Sequence, residues 1–236
     1  MANRSIDTWA APPGMRRASA ASDSGGATVR SYTALPPGRA LPLGPRPPIG
    51  EDGDVSVILL TGIQAAGKST VAQALAESIP ESVHVRGDLF RRMIVNGRVE
   101  MGPAVPDPRA LEQLRLRYEL AAATADRYAQ AGFTVVLQDI ILGDALREMV
   151  ERITSRPLSV VVLAPSAAAV AARDAERAAR RGKIAYKPGD EGIAALDRAL
   201  RYATPRLGYW LDTSALSVAQ TVADIRANLD GAARIP

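Results

Sequence analysis

There is no cysteine anywhere in the 236 residues. Disulfides, thiolate metal sites and cysteine nucleophiles are therefore excluded. Histidine is nearly absent as well, with His84 standing alone. That argues against a histidine-based triad or a multi-histidine zinc centre. No apolar run approaches the roughly 20 residues that span a bilayer, and the N-terminus lacks the apolar core of a secretory signal. The expectation is a soluble cytoplasmic protein with no membrane partner. Lysine is scarce too: three residues against twenty-six arginines.

Hydrophobic residues make up 47% of the chain, enough for one domain with a core plus an appendage. The basicity is uneven. Residues 1–50 carry six arginines and two acids, a net charge of +4, which equals that of the whole chain. The remainder is formally neutral and has no global electrostatic footprint for DNA or RNA. Residues 1–53 are rich in Pro, Ala, Gly, Ser and Arg, with Pro36-Pro37, Pro42, Pro45 and Pro47-Pro48 opposing regular structure. A disordered tail is predicted there, read as a dispensable extension rather than a targeting or docking arm. The folded domain is predicted over 54–236.

Gly62-Ile63-Gln64-Ala65-Ala66-Gly67-Lys68-Ser69, followed by Thr70, fits G-x-x-x-x-G-K-[ST] at every fixed position. An apolar run from Val55 to Leu60 leads into it. Val71, Ala72, Leu75, Ala76 and Ile79 leave it at helical spacing, and Pro80 stops that helix. Strand, glycine loop and helix form the context of a phosphate-binding loop. Gly62 and Gly67 let successive backbone N–H groups point inward at a polyphosphate. The helix adds its positive end. Lys68 reaches β- and γ-phosphates, and the Ser69 hydroxyl holds Mg²⁺. The cofactors implied are ATP and Mg²⁺.

Further strands are predicted at Val83–Arg86, Phe133–Leu137, Ser159–Leu163 and Leu207–Asp212, alternating with helices. This is an α/β pattern with a mostly parallel five-stranded sheet and helices on both faces. Asp88 follows the second strand, in the layer where ligands collect in such sheets, and reads as a catalytic acid or a helix N-cap. Asp139 ends the third strand, at the position of a Walker B carboxylate that holds Mg²⁺ directly or through water; it reads also as a substrate hydroxyl ligand, or as a structural cap before the helix starting near Gly143-Asp144. On the long helix from Arg109 to Ala131, Leu111, Leu114, Tyr118, Ala121, Ala125 and Tyr128 mark the buried face. Arg115, Arg117 and Arg127 fall off that stripe and read as solvated charges. Arg173, Arg177, Arg180 and Arg181 recur at helical spacing over 167–181, with Lys183 and Lys187 beyond. Arg91 and Arg92 follow Asp88 and read as contacts for an anionic acceptor or as solvated charges.

With these residues in view, the chain resembles the small P-loop kinases. The nearest pattern is the chloramphenicol phosphotransferase-like group, a relative of shikimate, gluconate and nucleoside monophosphate kinases. The resemblance spans about residues 55–230. It implies a P-loop NTPase sheet ordered 2-3-1-4-5 with a helical lid. It also implies transfer of the ATP γ-phosphate to a small acceptor. By this resemblance Lys68 matches the phosphate lysine, Ser69 the Mg²⁺ ligand, Asp88 the acid that takes the acceptor's proton, and Arg173 or Arg177 the lid arginine. Gln138-Asp139 departs from the paired acids of the chloramphenicol enzymes, which counts against that drug as substrate. The expected function is an ATP-dependent small-molecule kinase. The rivals are a zeta-toxin-like kinase, a polynucleotide 5′-kinase, and a nucleotide-dependent ATPase or switch.

Overall fold

Val57–Gly62 forms strand β1, and every residue of it is buried. A continuous apolar strand is what a sheet covered on both faces requires. The chain enters helix α1, Lys68–Glu77, then β2, Ser82–Arg86, and the short α2, Asp88–Arg92. Helix α3 spans Pro108–Gln130. Strand β3, Thr134–Gln138, helix α4, Ala145–Arg152, and strand β4, Leu158–Leu163, follow. Helix α5 runs Ala167–Arg181 and α6 Gly192–Arg198, which continues as a π-helical segment, Ala199–Ala203. Strand β5, Tyr209–Leu211, helix α7, Val218–Asn228, and strand β6, Arg234–Ile235, close the chain. This is a computed structural model that describes residues 57–101, 107–181 and 192–236. The tail expected over 1–53, the domain start at Asp54, and Lys183 and Lys187 lie outside the described residues.

The sheet order is β2-β3-β1-β4-β5 with all these pairs parallel, as expected. The short β6 was not anticipated. It pairs antiparallel with Leu158 and Ser159 of β4, beside the stretch that β5 covers. Two residues carry too little pattern to read as a strand. Helices α1 and α7 pack together, as do α3 and α4, which covers both faces.

Local chemistry explains the boundaries. Pro108 opens α3, where its missing N–H costs nothing, and Asp107 Oδ1 accepts the Arg109 N–H at 2.8 Å. Ser217 and Gln220 form a reciprocal capping box on α7. The stripe on α3 holds at its centre, where Tyr118, Ala121 and Ala125 are buried, but frays at its ends: Leu111 and Tyr128 are exposed. The described part of the connection after α2 is tied to α3, because Gln113 accepts the Val99 N–H and donates to the Gly97 carbonyl.

Candidate active site

The loop between β1 and α1 is shaped by its backbone. Gly62 lies at φ 146 against β4, where a β-carbon would meet the Leu163 carbonyl oxygen at 2.5 Å. Gly67 caps α1 at φ 95, and Ala65 also adopts a positive φ of 63. The Gly67 carbonyl accepts from the N–H groups of Thr70 and Val71, and the N–H groups that open a helix before them have no helical acceptor and suit an anion. Ser69 and Thr70 are exposed at its rim, while Ile63 and Ala66 anchor it in the core.

Lys68 is buried, and its Nζ donates to the Ile63 carbonyl at 2.7 Å. Burial lowers its pKa to about 7, helped by the nearby charges of Arg117 and Arg177 and opposed by Asp88.

Asp88 sits at the carboxyl end of β2, as expected, but it is not the N-cap. Gly87 occupies that position and Asp88 is the first helical residue, with no side-chain capping bond. Its carboxylate pairs instead with Arg92 at 2.7 Å, one helical turn on, and with Arg86 at 3.5 Å. Arg91 pairs with Glu100, which also meets Arg98. Both arginines expected to meet an anionic acceptor thus carry protein counterions in this structure.

Asp139 stands beside the loop, its N–H donating to the Leu60 carbonyl. Its carboxylate is fully engaged. One oxygen accepts from Arg117 Nε at 2.7 Å, and the other accepts the Ile140 N–H at 2.7 Å and pairs with the Arg117 terminal nitrogen. Arg117 is therefore not the solvated charge its sequence position suggested. Its side chain is 12% exposed and that of Asp139 only 1%. Off the apolar stripe, Arg117 still borders Tyr118, whose hydroxyl donates to the Ile140 carbonyl at 2.8 Å. Consecutive α3 residues thus reach the same strand end. Thr61 completes the clasp, exchanging hydrogen bonds with the Ile141 backbone. Burial pushes the Tyr118 phenol up to about 12, so it stays a donor. Asp126, further along α3, is buried and accepts from Thr154 and Ser155.

Arg173 and Arg177 on α5 both face this region. Arg173 donates to the Ala66 carbonyl of the loop and to Thr213 beyond β5. Arg177 pairs with Asp174, and its Nε is buried without a hydrogen-bond partner. Of Arg180 and Arg181 only the helical backbone is described.

Among the described residues no group of three or more acidic or histidine side chains is arranged to hold a metal. Exposed Ser69 suits a Mg²⁺ shared with substrate phosphates. Asp139 would have to give up Arg117 to do so. No described helix is long and apolar enough to cross a membrane.

A family model described as AAA domain matches residues 57–205. No curated protein matches the chain. Among solved structures, the fold is similar to that of a sugar kinase from Janibacter sp., with a TM-score of 0.54 and 19% identity, covering 75% of this chain and 95% of that one. It is similar to a gluconokinase from Sinorhizobium meliloti, with a TM-score of 0.50 and 21% identity, covering 74% of this chain and 91% of that one. A chain of the Pnkp1/Rnl/Hen1 RNA repair complex shares the fold at a TM-score of 0.50 and 20% identity. That match covers 62% of this chain, which spans only 44% of that longer one.

Proposed function

This chain belongs to the AAA-domain family, with the fold of the small P-loop kinases, and from that premise we propose that it is an ATP-dependent phosphotransferase. It moves the γ-phosphate to a hydroxyl of a small molecule of antibiotic, nucleoside or sugar-like type. One observation carries this reading: the loop lysine follows β1 and Asp88 follows β2, so both stand at the carboxyl ends of strands of one parallel sheet.

The loop amides and Lys68 hold the β- and γ-phosphate oxygens. Mg²⁺, when bound, neutralises phosphate charge, and Ser69 is the residue that would hold it. Asp88 accepts the proton of the acceptor hydroxyl as its oxygen bonds to the γ-phosphorus. The bridging oxygen keeps the bonding pair and leaves with ADP. Arg177, with an unpartnered Nε, is better suited than Arg173 to meet charge from the α5 side, because Arg173 is already bound to the loop and Thr213. Positioning and preset electrostatics supply most of the rate. A cytoplasmic setting, where ATP is available, belongs to the same reading.

The test is ADP release from the purified protein with Mg²⁺ and ATP against antibiotics, nucleosides and sugars. The panel includes a 5′-hydroxyl oligonucleotide, because the fold likeness extends to an RNA repair chain. Stimulation by a small acceptor supports the reading. Stimulation by the oligonucleotide alone favours a polynucleotide kinase, and hydrolysis that no acceptor alters favours an ATPase.

A further inference from the structure

The clasp at the end of β3 has no role in the scheme above, yet it is the most tightly specified polar feature beside the loop. Asp139 is inaccessible to solvent, and both of its oxygens are taken. Gly87 leaves the niche it occupies, since a β-carbon there would overlap the carboxylate. Tyr118 and Thr61 hold the next two backbone units. Stability alone does not explain this. Burying an ion pair costs desolvation that its attraction barely repays, and an apolar pair of similar size does as well or better.

The geometry of Arg117 suggests what the clasp is for. A guanidinium presents five donors in a planar fork. Its Nε and one terminal nitrogen face Asp139. The other terminal nitrogen has no partner among the described residues. Asp139 is hydrogen-bonded through its own N–H to Leu60, two residues before the loop begins. The pair is thus locked to the strand that delivers the phosphates. The charge of Arg117 acts on Lys68, and Asp88 acts on Arg117 in turn.

We propose that Arg117 is a catalytic residue of the phosphoryl transfer and Asp139 its positioning residue. The outward edge of the Arg117 guanidinium meets the oxygens of the phosphoryl group as it passes from the loop toward the acceptor oxygen at Asp88. The inference rests on the phosphotransfer reading. Arg117 contributes no atom and takes no proton. The β,γ-bridging bond breaks with its electron pair leaving on ADP, the new bond forms to the acceptor oxygen, and the proton passes to Asp88. Arg117 stabilises the charge spread over the phosphoryl oxygens in between. Because Asp139 already holds it in place, the arginine need not reorganise at the moment of transfer. Asp139 thereby serves the reaction through Arg117 rather than through a metal.

The experiment compares binding of Mg·ADP alone with binding of Mg·ADP and aluminium fluoride, a mimic of the phosphoryl in flight. Titration calorimetry reads both. The wild-type chain should bind ADP much more tightly with the fluoride present. Arg117→Met should lose about a hundredfold of that enhancement, the scale of one lost transition-state donor, while its affinity for ADP alone stays within about threefold. Since Arg117→Met strands a buried carboxylate, the double variant Arg117→Met, Asp139→Leu provides the control: it should melt at or above the wild-type temperature and still lack the enhancement. If the double variant regains the enhancement, the pair is scaffolding and the inference fails. If ADP and the mimic weaken equally in the double variant, Arg117 shapes the loop and the inference fails likewise. If the wild-type chain shows no enhancement, the phosphotransfer reading falls and takes this inference with it.

Discussion

Gly87 and Asp139 compete for one niche: the glycine has no side chain because the carboxylate from the neighbouring strand end fills the space where a β-carbon would stand. The φ of Gly87 is −59 and its ψ −31, an ordinary helical conformation. Its requirement is therefore steric and not conformational. Gly87→Ala should push Asp139 off Arg117 and cost about 1–3 kcal/mol of stability, as overpacking does. Thermal and urea unfolding measure the loss, and phosphotransfer should fall in the same variant. A variant with unchanged melting would show that the niche yields easily.

Lys68 should take up a proton when a polyphosphate binds. Burial and two arginines depress its pKa to about 7 in the free protein, and phosphate charge restores the protonated form. At pH 8 the uptake approaches one proton per nucleotide, by linkage. Calorimetry in two buffers of different ionisation enthalpy reads it directly, and Lys68→Met should show none.

The same residue sets a pH dependence of stability. The folded pKa lies below the unfolded value of 10.5. Between about 7 and 10.5 the unfolded chain therefore binds more protons, and the contribution of Lys68 to unfolding free energy rises with pH. Its cost is fully present below pH 7. Lys68→Met should raise the melting temperature at neutral pH, and the gain should shrink as pH climbs through that window.

Asp88→Asn should leave nucleotide affinity nearly unchanged and lower transfer by about a hundredfold to ten-thousandfold, the range of one general base. Loss of ATP binding in parallel would mean that Asp88 serves its ion pairs with Arg92 and Arg86 and not the acceptor. Single-turnover transfer alongside equilibrium binding separates the two.

Arg173→Ala removes the link between the Ala66 carbonyl and Thr213. Charged hydrogen bonds of this kind contribute about 1.5–3 kcal/mol each. The expected result is a tenfold order of weakening in ATP affinity, with turnover at saturating ATP changed less. A fall in turnover with affinity intact would make Arg173 the lid arginine after all.

Asp126→Ala should destabilise the fold without touching the site. Burial raises the pKa of Asp126, but the hydrogen bonds from Thr154 and Ser155 outweigh it and hold the carboxyl below its ordinary value. The stability it contributes is present above the unfolded pKa and is lost as pH falls through the folded one. The stability gap between wild type and variant, read from unfolding curves, should therefore be larger at pH 7 than at pH 3.

The amino-acid sequence by itself determined the phosphate loop, the parallel α/β order and the layer in which Asp88 and Asp139 stand. Those features are local: a glycine that must curl, a strand buried on both faces, a residue at a strand's carboxyl end. What it could not determine is which charges meet. Arg117 reads as solvated because helical periodicity sorts residues only by angle around their own axis. Whether a residue at the edge of the buried face finds water or a carboxylate depends on a strand end twenty-two residues away and on the glycine that leaves room for its carboxylate. Tertiary packing made that choice. It turned the Walker B candidate into an arginine's anchor, because a buried carboxylate takes the nearest cation that can satisfy both its oxygens.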